Sequence, residues 1–357
     1  MGQVDVGRKA SDNPCFTGPT SADSTSVECN AYRLCAGVRV AVGNVVGTSC
    51  PEIITAPGSG PDSWVRVWGG ASGCIGSGAP MIVLAQFRAY VSGFQGGVYL
   101  AAGNVDTSTA LDEVITGAGP GGGPHVKLWR VNFGTSTSIE ISGYMAYESG
   151  FTGGVRVGAG NLSCTPGMEI LTAPGSGRPA EVRTEVFGQG NIGNFQPYPG
   201  WSGGAFVAGG NLSNAYCDDE LGTGPDAGGT AHAKTYCCAS GSGTLGSWMA
   251  YPGFGGGVRV GTGNHDIDTE LEFITGPGPT GNPQIRIWNS NGTEVFCCGF
   301  YAYDFNWTGG VFVTGGNVDL AGRWEIVTGA DAGGGPHVRI WRCCTEPVTE
   351  VIGWMAW

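Results

Sequence analysis

The chain has 357 residues, including 68 glycines and 20 prolines, with 41% hydrophobic residues, a mean hydropathy of +0.01 and a formal net charge of −12. Glycine does not fall at every third position, which excludes collagen, and the apolar content is too high for a disordered chain. With 17 basic against 29 acidic residues, most of the surface repels phosphate, so nucleic acid is not an expected partner.

Residues 1–35 are rich in Ser, Thr, Asp and Asn, carry Cys15, Cys29 and Cys35, and form an irregular N-terminal extension. Met1 to Gly7 contains no apolar run of the secretory type, and no segment of the chain has enough consecutive apolar residues to span a bilayer. From residue 36 onward one unit recurs six times, with its second glycine at Gly37, Gly97, Gly154, Gly204, Gly257 and Gly310. Each unit opens on a short strand such as Val38-Arg39-Val40, Val155-Arg156-Val157 or Val258-Arg259-Val260. A second strand comes next, as in Glu113-Val114-Ile115-Thr116, and then a third, as in His337-Val338-Arg339-Ile340-Trp341. The fourth is expected at Phe87 to Tyr90, Tyr144 to Tyr147, Trp248 to Tyr251, Phe300 to Tyr303 and Trp354 to Trp357.

All of these segments are brief, β-branched or aromatic, and bounded by Gly, Pro and Asn, the pattern of tight antiparallel meanders. No apolar pattern of helical period persists for three turns. A unit of this size cannot cover its own apolar strands and must stack on its neighbours. The chain is therefore expected to be all-β, a six-bladed β-propeller with four antiparallel strands per blade. The expected blades are 36–95, 96–152, 153–202, 203–255, 256–308 and 309–357.

On these motifs, residues 36–357 resemble the FG-GAP or VCBS-type repeat propellers, the class that includes the integrin α-subunit head. The resemblance implies that the Gly-Gly-Val-Arg-Val segment is the innermost strand and Phe-x-Ala-Tyr the outermost. The Gly-Asn loops after strand one then share one face with the hairpins after strand three. The Gly-Pro loops and the aromatic turns between blades share the other.

The resemblance also implies calcium in Asp-rich loops on the first of these faces. Every loop here opens instead with Asn, at Asn44, Asn104, Asn161, Asn211, Asn264 and Asn317. The fifth comes nearest to a hard-oxygen ligand set, with Asn264, Asp266, Asp268 and Glu272; Asn104, Asp106 and Asp112 form the second candidate. Glu52, Glu113, Glu169, Glu220, Glu272 and Glu325 recur before strand two. That recurrence points to a shared structural task, accepting hydrogen bonds from turn N–H groups, with a ring of metal ligands as the alternative.

Cysteines fall at matching places in two blades. Cys50 lies in the first-face loop of blade one and Cys74 in the next hairpin; Cys217 lies in the same loop of blade four, with Cys237 and Cys238 in its hairpin. Disulfides Cys50 to Cys74 and Cys217 to Cys237 or Cys238 are expected, with an oxidising or exposed location. The competing reading, metal held by Cys-Cys doublets, lacks the Cys-x-x-Cys spacing of zinc sites. The 13 cysteines are odd in number, so at least one is free or pairs between chains.

No nucleophile has an evident base and orienter, and the glycine runs lack the phosphate-loop ending, so the chain is not expected to be an enzyme. Two functions fit. One is a structural or interaction protein on a virion or extracellular surface, assembled with protein partners through its loops or its extension. The other is a glycan-binding, lectin-like propeller, calcium-dependent in one version. In the latter, the turn aromatics Phe94, Phe151, Trp201, Phe254 and Trp307 would stack on sugars, against the plainer reading that they pack between blades.

Overall fold

A computed structural model describes residues 36–60, 62–71, 73–75, 80–133, 138–214, 219–266, 268–295, 299–343 and 347–357. Cys15, Cys29, Cys35, Cys217, Cys297, Cys298 and Cys344 lie outside the described residues, as does the expected extension.

Six four-stranded antiparallel sheets, each a simple meander, make the blades of an all-β propeller. Blade one is β1 (Val38–Gly43), β2 (Glu52–Pro57), β3 (Trp64–Gly70) and β4 (Met81–Arg88). Blade two is β5 (Val98–Gly103), β6 (Glu113–Ala118), β7 (His125–Val131) and β8 (Ser138–Met145). Blade three is β9 (Val155–Gly160), β10 (Glu169–Pro174), β11 (Val182–Val186) and β12 (Gly190–Phe195). Blade four is β13 (Ala205–Gly210), β14 (Glu220–Pro225), β15 (His232–Tyr236) and β16 (Thr244–Met249). Blade five is β17 (Val258–Gly263), β18 (Glu272–Pro277), β19 (Gln284–Trp288) and β20 (Phe300–Tyr301). Blade six is β21 (Val311–Gly316), β22 (Glu325–Ala330), β23 (His337–Arg342) and β24 (Thr349–Met355).

The first strands of successive blades pack side by side, and β21 packs on β1 to close the ring. The second strand is buried along its whole length in every blade, including its opening glutamate and its threonine. The second glycine of the unit marks the point where backbones of adjacent blades meet. Gly97 has φ of +73°, and a Cβ there would sit 2.0 Å from the Gly58 carbonyl oxygen of the preceding blade. Gly37 meets the backbone of Asp331 in the same way, so this junction is repeated where blade six meets blade one. That seam is further held by the Ile75 amide donating to the Val318 carbonyl at 3.0 Å and by Arg66 donating to the Ala356 carbonyl.

The outer strands lie upstream of where the Phe-x-Ala-Tyr motif places them. β4 ends at Arg88 and β8 at Met145, so Ala-Tyr forms the exit turn of each blade. The reason is the tyrosine's task. Tyr90, Tyr147, Tyr198, Tyr251 and Tyr303 each reach the next blade, donating to the carbonyls of His125, Glu181, His232, Gln284 and His337. In the same junctions Arg183, Lys234, Arg286 and Arg339 donate back to carbonyls of the preceding blade. Buried hydroxyls and charges are thus satisfied across each seam, which fixes the angle between blades.

Candidate functional site

The six recurring glutamates occupy one equivalent position, and how each is neutralised separates the blades. All six are buried and all accept backbone N–H groups from the loop after strand one. In blade one, for example, the Val45 and Val46 amides lie 2.8 and 3.1 Å from Glu52. The shared structural task expected of them is therefore met in every blade.

The second carboxylate oxygen is handled in different ways. In blades one, three and four a hydroxyl donates to it: Thr48 to Glu52, Ser163 to Glu169 and Ser213 to Glu220. In blades two and six the loop carries an aspartate beside the glutamate, and an arginine from the end of strand three stands against both. Arg130 lies 2.5 Å from Asp106 and 3.9 Å from Glu113. Arg342 pairs with Asp319 and lies 3.5 Å from Glu325. Register explains the recurrence, because Val114 pairs with Trp129 and Ile326 with Trp341, so the next residue of strand three falls opposite the glutamate.

Blade five breaks this pattern in two ways at once. Phe273 pairs with Trp288, so the residue in the arginine position is Asn289. The loop also adds an acid where blade two has Ser108 and blade six Ala321. Asp266, Asp268 and Glu272 each bring a carboxylate oxygen within 4.8 Å of the others, forming an acidic cluster able to chelate a metal ion. The turn is built for this convergence: the Asp268 amide donates to Asp266 at 2.8 Å and the Glu270 amide to Asp268 at 2.9 Å. Asn264 closes it by donating to the Asp268 carbonyl at 3.1 Å. Burial, reinforced by the charges of Asp266 and Asp268, pushes the Glu272 carboxyl up to about 7. Glu325 is also pushed to about 7 by burial and Asp319, there against the pull of Arg342.

The second candidate loop is arranged differently. Asp106 is held by Arg130, while Asp112 accepts the Asn44 amide of blade one at 2.8 Å. Asn104 donates to the Thr109 carbonyl at 3.0 Å. Asn104, Asp106 and Asp112 thus point to separate partners.

The five turn aromatics lie between blades on the opposite face. Phe94, Phe151, Phe254 and Trp307 meet Tyr90, Tyr147, Tyr251 and Tyr303 edge to face, with centroids 5.2 to 6.3 Å apart. Trp201 donates its indole N–H to the Gly204 carbonyl at 2.7 Å. Each ring also covers a glycine of its own turn; a Cβ on Gly203 would lie 1.9 Å from Trp201.

Cys50 and Cys74 form a disulfide, joining the loop after β1 to the β3–β4 hairpin. Cys164 and Cys343 are also disulfide-bonded. The sulfurs of Cys237 and Cys238 lie 2.9 Å apart in the hairpin of blade four.

A feature not foreseen from sequence lies on the propeller axis. The second residue of each inner strand is, in blade order, Arg39, Tyr99, Arg156, Phe206, Arg259 and Phe312, alternating cation and ring. The guanidinium centres stand over the neighbouring rings at 3.5 to 5.6 Å. This hexad floors a cavity of about 540 Å³ that runs between the inner strands to the Gly-Asn loops, reaching Asn44, Asn211 and Asn317. Its sequence signal was present in a single column of the repeat, but it alternates with a two-blade period.

No protein-family model matches the chain, and no curated protein matches it. Among solved structures the chain is similar to AofleA from Arthrobotrys oligospora, with 11% identity and a TM-score of 0.51 over 89% of this chain and 87% of that one. An AofleA variant with three arginines changed to alanine gives 12% identity and a TM-score of 0.54 over 89% and 88%. A COPII coat structure assembled on membranes matches at 9% identity and a TM-score of 0.49, over 80% of this chain and 36% of that chain. At these identities the likeness to AofleA is one of fold. Among the described residues, no helix is long and apolar enough to cross a membrane.

Proposed function

We propose that this chain is a non-catalytic carbohydrate-binding propeller that holds a calcium ion in the Asn264 to Glu272 loop. One observation carries the reading. The carboxylates of blade five converge without the arginine that its sister loops in blades two and six place against theirs. The three carboxylates offer hard oxygen donors of the kind calcium takes. Asp268 is exposed and Asp266 half-buried, so an ion held there faces solvent and keeps positions for outside ligands. Vicinal sugar hydroxyls are neutral oxygen donors that fill such positions. The alternate acids Asp266 and Asp268 also match the calcium loops of the FG-GAP-type repeats that the sequence resembles, although Asn264 stands for the opening aspartate and Thr269 for the closing glycine.

The test is calcium titration by calorimetry, followed by glycan-array binding with and without chelator. One calcium per chain is expected, with glycan binding lost in chelator and both lost in Asp268→Asn. Glycan binding indifferent to chelator, or calcium binding unchanged in Asp268→Asn, would overturn the reading.

A second reading is favoured by the disulfide from Cys50 to Cys74 and the bonded Cys164 and Cys343. Covalent staples suit a structural protein on a virion or extracellular surface. In that case native mass without reductant is that of a discrete large assembly, and no glycan is retained.

A further inference from the structure

We propose that the axial cavity binds a small molecule through an oxyanion, above all a carboxylate, with Arg39 as its counter-charge. The site is separate from the blade-five loop, and its test does not depend on calcium.

The floor of the cavity contains three guanidinium groups and two carboxylates. Asp226, from the loop after β14, pairs with Arg156 and lies 3.4 Å from Arg259. Asp331, from the equivalent loop after β22, lies 2.8 Å from Arg259. The same position after β6 is Gly119, so the third carboxylate of this pseudo-threefold arrangement is missing. Arg39 is the residue left over. It is 6% exposed, and among the described residues it has no ion-pair or hydrogen-bond partner, with Nε and Nη1 both buried and unsatisfied.

Its flat faces are provided for, by Tyr99 at 3.5 Å and Phe312 at 5.6 Å to the ring centroids. Stacking satisfies the faces of a guanidinium but not the N–H groups at its edge. Burial accordingly pulls the Arg39 guanidinium below its ordinary value, with Tyr99 and Asp331 opposing and Arg156 and Arg259 adding to the fall. A buried cation without an acceptor is among the costlier features a fold can keep. Here it borders a cavity of about 540 Å³, within the range of small-molecule sites. Val40, Val157 and Val313 also line the cavity; of its charged lining groups, Arg156 and Arg259 are held by Asp226 and Asp331, and Asp112 and Asp219 accept the Asn44 and Asn161 amides, which leaves Arg39 as the one without a polar contact partner among the described residues. That combination selects a compact ligand with one anionic end.

The experiment is calorimetric titration of the full chain, in chelator, with D-glucuronate, D-glucose, inorganic phosphate and sulfate. Saturable binding of glucuronate at one per chain, with no binding of glucose, is the expected result. Phosphate or sulfate binding in place of glucuronate would still place an oxyanion on Arg39 and would identify an inorganic source for it. Arg39→Met should weaken binding at least tenfold. Thr314→Leu, which fills the cavity and leaves Arg39 in place, should do the same, and it decides the matter if Arg39→Met fails to fold. No binding by any anion, or binding unchanged in Thr314→Leu, would overturn the proposal.

Discussion

Replacing Asn289 with arginine should abolish calcium dependence in blade five by giving it the counter-charge used in blades two and six. Asn289 follows Trp288 as Arg130 follows Trp129 and Arg342 follows Trp341, and the strand pairing at all three tryptophans is the same. An arginine there is placed to reach Asp266 and Glu272 as Arg130 reaches Asp106 and Glu113 at 2.5 and 3.9 Å. At a calcium concentration a hundredfold above the dissociation constant, the native state gains about 2.7 kcal/mol. Unfolding entropy of about 2.1 cal/mol/K per residue, over roughly 320 propeller residues, converts that gain to a melting-temperature rise of about 4 °C. Thermal melts of wild type in calcium and in chelator should differ by this amount. In Asn289→Arg the difference should vanish, and the chelator melt should rise by about 1 °C, since a partly exposed ion pair contributes roughly 1 kcal/mol at most. A full calcium shift retained in Asn289→Arg, or none in wild type, would refute the reasoning. The reciprocal change, Arg130→Asn with Ser108→Asp, should create a calcium response in blade two.

Three further outcomes test the framework around the sites. Tyr198→Phe removes a buried hydroxyl that meets Thr223 at 3.0 Å and the His232 carbonyl at 2.8 Å. It should cost about 1 to 2 kcal/mol and lower the melting temperature by about 2 °C, whereas Tyr301→Phe, at a residue 44% exposed, should change nothing measurable. Cys50→Ser opens a loop of 24 residues and should cost about 3 kcal/mol, and reducing wild type should cost more, because the disulfides of Cys164 and Cys343 open as well. His337 is held down to about 4 by burial and the nearby Arg339. Its unfolded form takes up a proton near 6.5, so stability is complete above that pH and falls as pH drops from about 6.5 toward 4, by at most about 3 kcal/mol. Chemical denaturation of His337→Gln beside wild type should show a shallower loss over that window; identical slopes would remove His337 from the account.

The blade count and the antiparallel meander were legible because the features that make them are local. The paired glycines, the buried second strand and the exit tyrosine recur at nearly fixed spacing, and each is required by backbone contact or burial within one seam. The outer strands were less legible. β12 reads Gly-Asn-Ile-Gly-Asn-Phe and has no face that must be apolar, so nothing in its composition marks it as a strand. The same distinction holds at the candidate site. Asp266, Asp268 and Glu272 were visible as neighbours in sequence. The counter-charges of the sister loops were not, because Arg130 and Arg342 come from strand three, 24 and 23 residues after their aspartates, and are brought in only by strand register. On the axis, Arg39, Arg156 and Arg259 were visible in sequence as inner-strand residues that line or support the ring, but their interleaving with Tyr99, Phe206 and Phe312 was not, because that pattern has a period of two blades.

That two-blade period and the varied treatment of the glutamates share a physical origin. A repeat propeller must solve the same burial problem six times, and the backbone N–H groups around each glutamate satisfy only one carboxylate oxygen. The other oxygen is a free variable: blades one, three and four give it a hydroxyl, while in blades two and six it has no hydrogen bond and lies 3.9 and 3.5 Å from an arginine. On the axis the variable is charge, which blades four and six settle with Asp226 and Asp331 against Arg156 and Arg259. In both systems one blade departs from the shared solution: blade five has acids without a cation, and Arg39 in blade one has no acid in contact with it among the described residues. Local compensation is the rule in the other blades, so an uncompensated charge at an equivalent position is a better guide to ligand than the residue type itself. The two departures also have opposite sign and lie in different parts of the ring, so a cation at one and an anion at the other should bind without competing. Calcium titrations repeated in saturating glucuronate should return the same affinity, and a large change in either direction would show that the two departures belong to one site.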